Sequence, residues 1–248
     1  MAGHSKWANI KHKKAREDAK KGKIWSKCAR AIIVAAKEGG GDPETNLSLR
    51  YAIDEAKSAN MPKDTIENAI KKGTGELQAE SYERMVYEGY GPNGVAFIVD
   101  TLTDNKNRTA PQMKKIFEKY GGNLGTSGCV SYGFQSRGEV LVSKEAADEE
   151  TVMAAALEGG AEDVADADDS WQVLCDPSDY QAVKEAIEEA DLPIEKSGVT
   201  MLPNTTVLCE GRDAEKVLEL YEALEDHDDV QKIYANFDVP DETLAAME

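Results

Sequence analysis

The apolar period of this chain changes once, near residue 80, and that change limits the fold more than any other feature. Up to about residue 75, apolar residues recur at helical spacing. Segment 24–38 runs into Gly39-Gly40-Gly41, a clear stop. Asp42-Pro43-Glu44 then supplies a cap residue, a proline for the first helical position and a first-turn acid, and Leu47, Tyr51, Ile53 and Ala56 carry an apolar face to about Asn60. Pro62 opens a third helix with Ile66 and Ile70 four apart, and Lys71-Lys72-Gly73 closes it with cations at the negative end and Gly73 as the left-handed cap. Three helices with short connections predict a small bundle.

From Tyr82 the period is two. Strands are expected at about 82–90, 95–102, 128–136, 139–143, 162–167, 171–175, 194–201, 204–209 and 230–237, and helices at about 109–120, 148–158, 178–190 and 212–226. Residues 139–201 spell βαββαβ, the ferredoxin-like unit. The segments outside it spell the same pattern, 95–102, 109–120 and 128–136 being completed by 204–209, 212–226 and 230–237, with 82–90 as an extra strand. The expected fold class is therefore α+β: an N-terminal three-helix bundle followed by two ferredoxin-like α+β domains, one inserted in the other. The boundaries are 1–78 for the basic helical domain, 79–137 plus 203–240 for the outer domain and 138–202 for the inserted one. A length of 248 residues suits two or three domains.

Charge divides the chain along the same line. The formal net charge is −18, which on average repels phosphate. Residues 1–30, however, hold ten Lys or Arg against two acids, or +8, whereas residues 81–248 hold 13 basic and 36 acidic residues, or −23. A basic head on an acidic body points to a polyanion held by one segment only. The candidate nucleic-acid-binding residues of the head are Lys6, Trp7, Lys11, His12, Lys13, Lys14, Arg16, Lys20, Lys21, Lys23 and Lys27. On a helix Lys23, Lys27, Arg30 and Lys37 share one side, and the same count upstream adds Lys13, Arg16 and Lys20, with Gly22 as an interruption. Trp7, beside Lys6 and without apolar neighbours, is the better base-stacking candidate, whereas Trp25 reads as core.

Other motifs point away from catalysis. Gly121-Gly-Asn-Leu-Gly-Thr-Ser-Gly128 leaves a helix and enters a strand, the reverse of a phosphate-binding loop, and reads as a helix cap plus a mobile loop. Asp163, Asp166, Asp168 and Asp169 lack the glycine and bidentate Glu of a calcium loop. His227, in Glu225-Asp-His-Asp-Asp229, is expected as a cation at a helix C-terminus. Cys28, Cys129, Cys175 and Cys209 lie too far apart for a metal motif and read as buried thiols. No acid/base pair, triad, metal or cofactor site is expected, and no enzyme activity. The longest aliphatic stretch, 31–36, is far below the roughly 20 residues of a membrane span, so a cytoplasmic location is expected. Thr103-Asp-Asn-Lys-Asn-Arg-Thr109 joins a strand to a helix and brings Lys106 and Arg108 into a body poor in cations. A second phosphate-backbone contact and a helix cap from Asp104 or Thr109 stand as equal readings.

Met1-Ala-Gly-His-Ser-Lys-Trp-Ala-Asn-Ile-Lys-His-Lys-Lys14, Met61-Pro-Lys-Asp-Thr-Ile-Glu-Asn-Ala-Ile70, Leu102-Thr-Asp-Asn-Lys-Asn-Arg-Thr109 and Gly128-Cys-Val-Ser-Tyr-Gly-Phe134 resemble the YebC/PmpR family. The resemblance implies a three-domain, cytoplasmic, non-enzymatic protein of a family described as DNA-binding transcriptional regulators. Mitochondrial relatives are translational activators, and bacterial members have been linked to the ribosome. Two readings follow: a transcriptional regulator holding duplex DNA through its head, or a translation factor placing the head on ribosomal RNA and the acidic body against basic proteins. A module that binds only proteins is a weaker third. The absence of a groove-reading module counts against strong sequence specificity.

Overall fold

The computed structural model describes residues 17–78, 80–167, 169–240 and 242–243. It contains α1 (Glu17–Gly39), α2 (Leu47–Ser58), α3 (Lys63–Gly73), β1 (Glu83–Tyr90), β2 (Ala96–Thr103), α4 (Lys106–Lys119) and β3 (Asn123–Leu124). The chain then forms β4 (Phe134–Ser143), α5 (Glu149–Glu158), β5 (Asp163–Ala167), β6 (Ser170–Cys175), α6 (Tyr180–Glu189) and β7 (Ile194–Pro203). It ends with β8 (Val207–Leu208), α7 (Gly211–Glu225), β9 (Val230–Ala235) and β10 (Phe237–Asp238). One compact unit is Tyr132–Thr206; the other holds the residues before and after it.

The first three helices bury a core that includes Ile32, Ala36, Leu49, Ala56, Ile66 and Ala69. Helix α1 runs unbroken through Gly22. The turn into α2 departs from the sequence expectation. Residues 42–45 form a turn closed by Asp42 accepting from the Glu44 N–H (3.0 Å), and the cap is Asn46. Its amide donates to Ala35 and Gly40 carbonyls (both 2.8 Å) while its Oδ1 accepts from the Leu49 N–H (3.1 Å), so one buried side chain ends α1 and starts α2. Gly73 is likewise not the left-handed cap. A Cβ there would lie 2.5 Å from the Ile33 carbonyl, so glycine lets α3 approach α1, and the positive φ of +85° falls at Gly75.

The outer sheet has the order β3-β1-β2-β9, antiparallel throughout, with β1 and β2 paired from Glu83↔Thr103 to Tyr90↔Ala96. The segment expected as an extra strand is thus central and takes the place expected of 204–209. That segment shrinks to β8, which pairs in parallel with β10. An eight-residue hairpin register outcompetes a two-residue one. Alternation sends Met85, Tyr87, Phe97, Val99, Ile233 and Ala235 to the face covered by α4 and α7, where Phe97, Met113, Phe117, Leu220, Leu224 and Phe237 are fully buried.

The strands expected at 128–136 and 139–143 are one strand, β4, preceded by a single 3₁₀ turn at Ser131–Gly133. Gly138 does not break it: a Cβ there would meet Cys175 Sγ at 2.5 Å, so the glycine serves close cross-strand packing. The sheet of this unit has the order β5-β6-β4-β7, all antiparallel, which is the ferredoxin-like arrangement. Its core includes Val140, Val142, Val152, Val173, Val183 and Ile187. Among the described residues no helix is long and apolar enough to cross a membrane.

Candidate nucleic-acid interface

Of the head residues singled out in the sequence, Lys6, Trp7, Lys11, His12, Lys13, Lys14 and Arg16 lie outside the described residues, as does the side chain of Lys20. Lys21 is exposed on the first turns of α1. Lys23, Lys27 and Arg30 follow at helical spacing and do share one side, opposite the stripe of Cys28, Ile32, Ala35 and Ala36 that enters the core. Trp25 packs against that core and donates its indole N–H to the Ala59 carbonyl (3.0 Å), the structural role expected of it.

The cationic side of α1 meets the C-terminal end of α7. Lys23 Nζ donates to the Asp226 carbonyl (2.9 Å) and Lys27 Nζ to the Glu225 carbonyl (2.8 Å), while Arg30 bonds the Asp228 carbonyl and stands 3.4 Å from Asp229 Oδ1. The last turn of a helix leaves carbonyls without intrahelical partners and carries the negative end of its dipole, so Lys23 and Lys27 satisfy both at once, while Arg30 adds its charge at the Asp228 carbonyl just beyond the helix. Burial lowers the Lys27 amine below the usual lysine range, with Glu225 opposing the shift. The cations sit within a run of acids, so along this stretch the surface charge of α1 is largely matched.

His227 occupies the position expected of a cation but is held as a neutral ring. Its Nδ1 accepts the Asp229 N–H (3.2 Å) and its Nε2 lies 3.0 Å from Gln112 Oε1, and burial lowers its pKa despite Asp229 and Asp228 nearby. The helix end is already capped by lysine and arginine.

The strand-to-helix loop 103–109 converges on the same place. Helix α4 is capped by Asn105, whose Oδ1 accepts the Arg108 N–H (3.2 Å), rather than by Asp104 or Thr109. Arg108 instead reaches Asp229 Oδ2 and Asp104 Oδ1, both at 2.8 Å, and Thr109 donates to Asp229 Oδ2 (2.7 Å). Asp229, 2% exposed, is therefore the hub of the cluster. Burial pushes its carboxyl up, but the Thr109 hydroxyl and Arg108 outweigh it and hold it below the ordinary carboxylate range. Lys106 lies 3.5 Å from Glu83 and is exposed.

The residue that sequence reasoning missed is Glu88. It is 5% exposed on β1, and its carboxylate accepts the backbone N–H groups of Gly128 (2.7 Å), Val130 and Ser131 (both 2.9 Å). Successive N–H groups aimed at one anion form a nest of the kind that cradles phosphate. The glycine loop thus does hold an anion, but the anion is a side chain of the protein. Tyr90 adds a bond from its hydroxyl to the Cys129 carbonyl (3.0 Å), and Gly125 N–H donates to the Glu88 carbonyl (2.8 Å). The loop expected to be mobile, together with the residues that follow it, is pinned by five hydrogen bonds. The only sequence signal was an acid placed in a strand beside apolar residues.

Three of the four thiols are buried and Cys129 is half-buried, and all four are free. Burial raises Cys28 and Cys175 to about 11, which leaves them as inert packing groups. Among the described residues no His, Cys, Asp and Glu side chains are grouped to hold a metal.

Residues 5–76 match the model of the TACO1/YebC protein N-terminal domain, and residues 82–237 match that of the TACO1/YebC second and third domain. A "probable transcriptional regulatory protein" of Dictyoglomus turgidum is 54% identical over 248 residues, with both chains fully covered, and one of Natranaerobius thermophilus is 55% identical over 98% of this chain and 99% of its own. The crystal structure of a conserved hypothetical protein from Aquifex aeolicus superposes with a TM-score of 0.85 at 48% identity, covering 96% of this chain and 98% of that one. The helical bundle, the two α+β sheets and the pinned glycine loop all lie within the matched segments, and the chain belongs to the TACO1/YebC family.

Proposed function

We propose that this chain is a non-enzymatic, cytoplasmic, DNA-binding regulator of transcription that holds its target through the basic head. The observation that carries the reading is the segregation of charge: +8 over residues 1–30 against −23 over 81–248. The names of the relatives agree with a regulatory role. Because Lys23, Lys27 and Arg30 are matched by the end of α7, the phosphate contacts are assigned first to the five Lys and Arg that precede Glu17: Lys6, Lys11, Lys13, Lys14 and Arg16.

Five phosphate contacts predict that log affinity for duplex DNA falls with log salt at a slope of about −4.5, against about −3.5 for single-stranded nucleic acid. Fluorescence anisotropy of the full chain with labelled duplex DNA and with a ribosomal RNA fragment reads both slopes. Substituting Lys11, Lys13 and Lys14 by Ala weakens binding alike for all sequences; unchanged affinity removes the head from the interface. A clear preference for the RNA fragment transfers the reading to a translation factor. Deletions must stop before Glu17, because a chain starting near Gly39 loses α1 and with it Ile32, Ile33 and Ala36 from the bundle core.

A further inference from the structure

We infer that the acidic turn Glu225–Asp229 is an intramolecular competitor for the nucleic-acid surface: it occupies Lys23, Lys27 and Arg30 in the free protein, and a polyanion held by the head displaces it. The inference rests on the proposed nucleic-acid binding by the head and adds a second, latent part to that surface.

Three observations carry it. The first is chemical. The acceptors offered to α1 are carbonyl oxygens at a negative helix end, flanked by the carboxylates of Asp226, Asp228 and Asp229, an oxygen array that a phosphate backbone can replace bond for bond. The second is continuity. Lys23, Lys27 and Arg30 lie on the helix that the head runs into, and the seven helical steps from Lys23 to Arg30 cover about 10 Å of axis, so a strand gripped by the head reaches them next. The third is access. The seam between α1 and the turn is an open polar groove of about 190 Å³ lined by Gly22, Lys23, Ser26, Lys27, Arg30 and Asp228. Lys23 keeps 49% of its side chain exposed, and a Cβ on Gly22 would meet nothing within 4 Å. Incoming phosphates can therefore touch the cations before the turn has left them.

A turn of this kind sets a threshold. A single phosphate group offers one partner and leaves the other two cations with the helix end, whereas a backbone offers several at once. Arg108 and Thr109 hold Asp229 from the other side, so the turn keeps a seat when α1 lets go.

The test is hydrogen exchange of the full chain with and without a short mixed-sequence DNA duplex, read together with binding. On adding duplex, amides 224–230 exchange faster while those of 20–31 become protected. Neutralising the turn with Asp226→Asn and Asp228→Asn tightens duplex binding about fivefold, the worth of the exposed Lys23–Asp226 pair together with the Asp228 charge facing Lys27. The matched pair Glu215→Gln and Glu219→Gln, exposed on the same helix, changes it by less than about twofold. Binding without faster exchange at 224–230, or equal gains from both variant pairs, overturns this inference and leaves the binding reading standing. No binding to duplex or to an RNA hairpin overturns both.

Discussion

Replacing Glu88 by Gln tests whether the glycine loop is held by an anion. The wild-type carboxylate accepts three N–H groups, from Gly128, Val130 and Ser131, and is 5% exposed. Glutamine has the same shape but only one acceptor oxygen, and its NH₂ faces donors that it cannot satisfy. One or two N–H groups are then left unpaired, at about 1–3 kcal/mol each, so the loop loses about 2–4 kcal/mol of local stability. At 1.4 kcal/mol per decade, hydrogen exchange at Gly128, Val130 and Ser131 accelerates by about 30-fold or more, with the inserted unit unaffected. The pH dependence gives a second reading. Burial raises the Glu88 carboxyl, but the Gly128, Val130 and Ser131 N–H groups outweigh it and hold it below its usual value of 4.5. A depressed folded-state pKa means that the stabilisation is complete above pH 4.5 and is lost as the pH falls through the lower folded value. The gap between wild type and E88Q therefore closes on acidification. An acceleration below about threefold at neutral pH, or a gap that persists in acid, refutes the nest.

Asp229→Asn removes the charge shared by Arg30, Arg108 and Thr109. With the arginines partly exposed, the loss in urea denaturation is expected at about 2–3 kcal/mol, below the full range for a buried pair, and it fades as the pH drops below 3.8 because the wild-type pKa is depressed. Asn46→Ala uncaps α2 and frees the Ala35 and Gly40 carbonyls; it costs about 2 kcal/mol, visible as a lower unfolding midpoint of the helical bundle by circular dichroism. The His227 ring titrates below 6.5 by NMR, since burial lowers its pKa, and its contribution to stability weakens as the pH falls below 6.5, where the unfolded chain takes up the proton first. A midpoint above 6.5 would show the ring to be the helix-end cation after all.

Periodicity alone placed helices α2 to α7 within a few residues, because each has an apolar stripe that the core needs, whereas α1 starts at Glu17, seven residues before the expected segment 24–38, because Gly22 does not interrupt it. What it misplaced were strands whose identity depends on a distant partner. Segment 204–209 alternates well enough to read as a full strand, yet the outer sheet takes β1 instead, and only the pairing Glu83↔Thr103 to Tyr90↔Ala96 decides this. Segment 128–136 contains both a nest and the start of β4, and nothing local to it reveals that Glu88, forty residues upstream, supplies the anion. Caps behaved in the same way. Asp42 and Asp104 are good cap residues by type, but Asn46 and Asn105 win because each stands where the chain actually enters the helix.

The cationic head shows the same distinction between order along the chain and position in space. Counting charges made residues 1–30 a single +8 segment, and helical spacing correctly set Lys23, Lys27 and Arg30 side by side. The acids that meet them lie about 200 residues away in the other charge block, at 225–229. The two blocks are therefore not simply a binding surface and a repelling body: one turn of the acidic block is seated on the basic one. A cation that leaves a neutralising partner contributes less to polyanion binding than one that does not, because part of the gain is spent in breaking the first contact. On this ground the salt slope measured for the full chain reports mainly the cations before Glu17, because the carboxylates released from Lys23, Lys27 and Arg30 take up cations as the nucleic acid gives them off, and neutralising the turn should steepen the slope by removing that uptake.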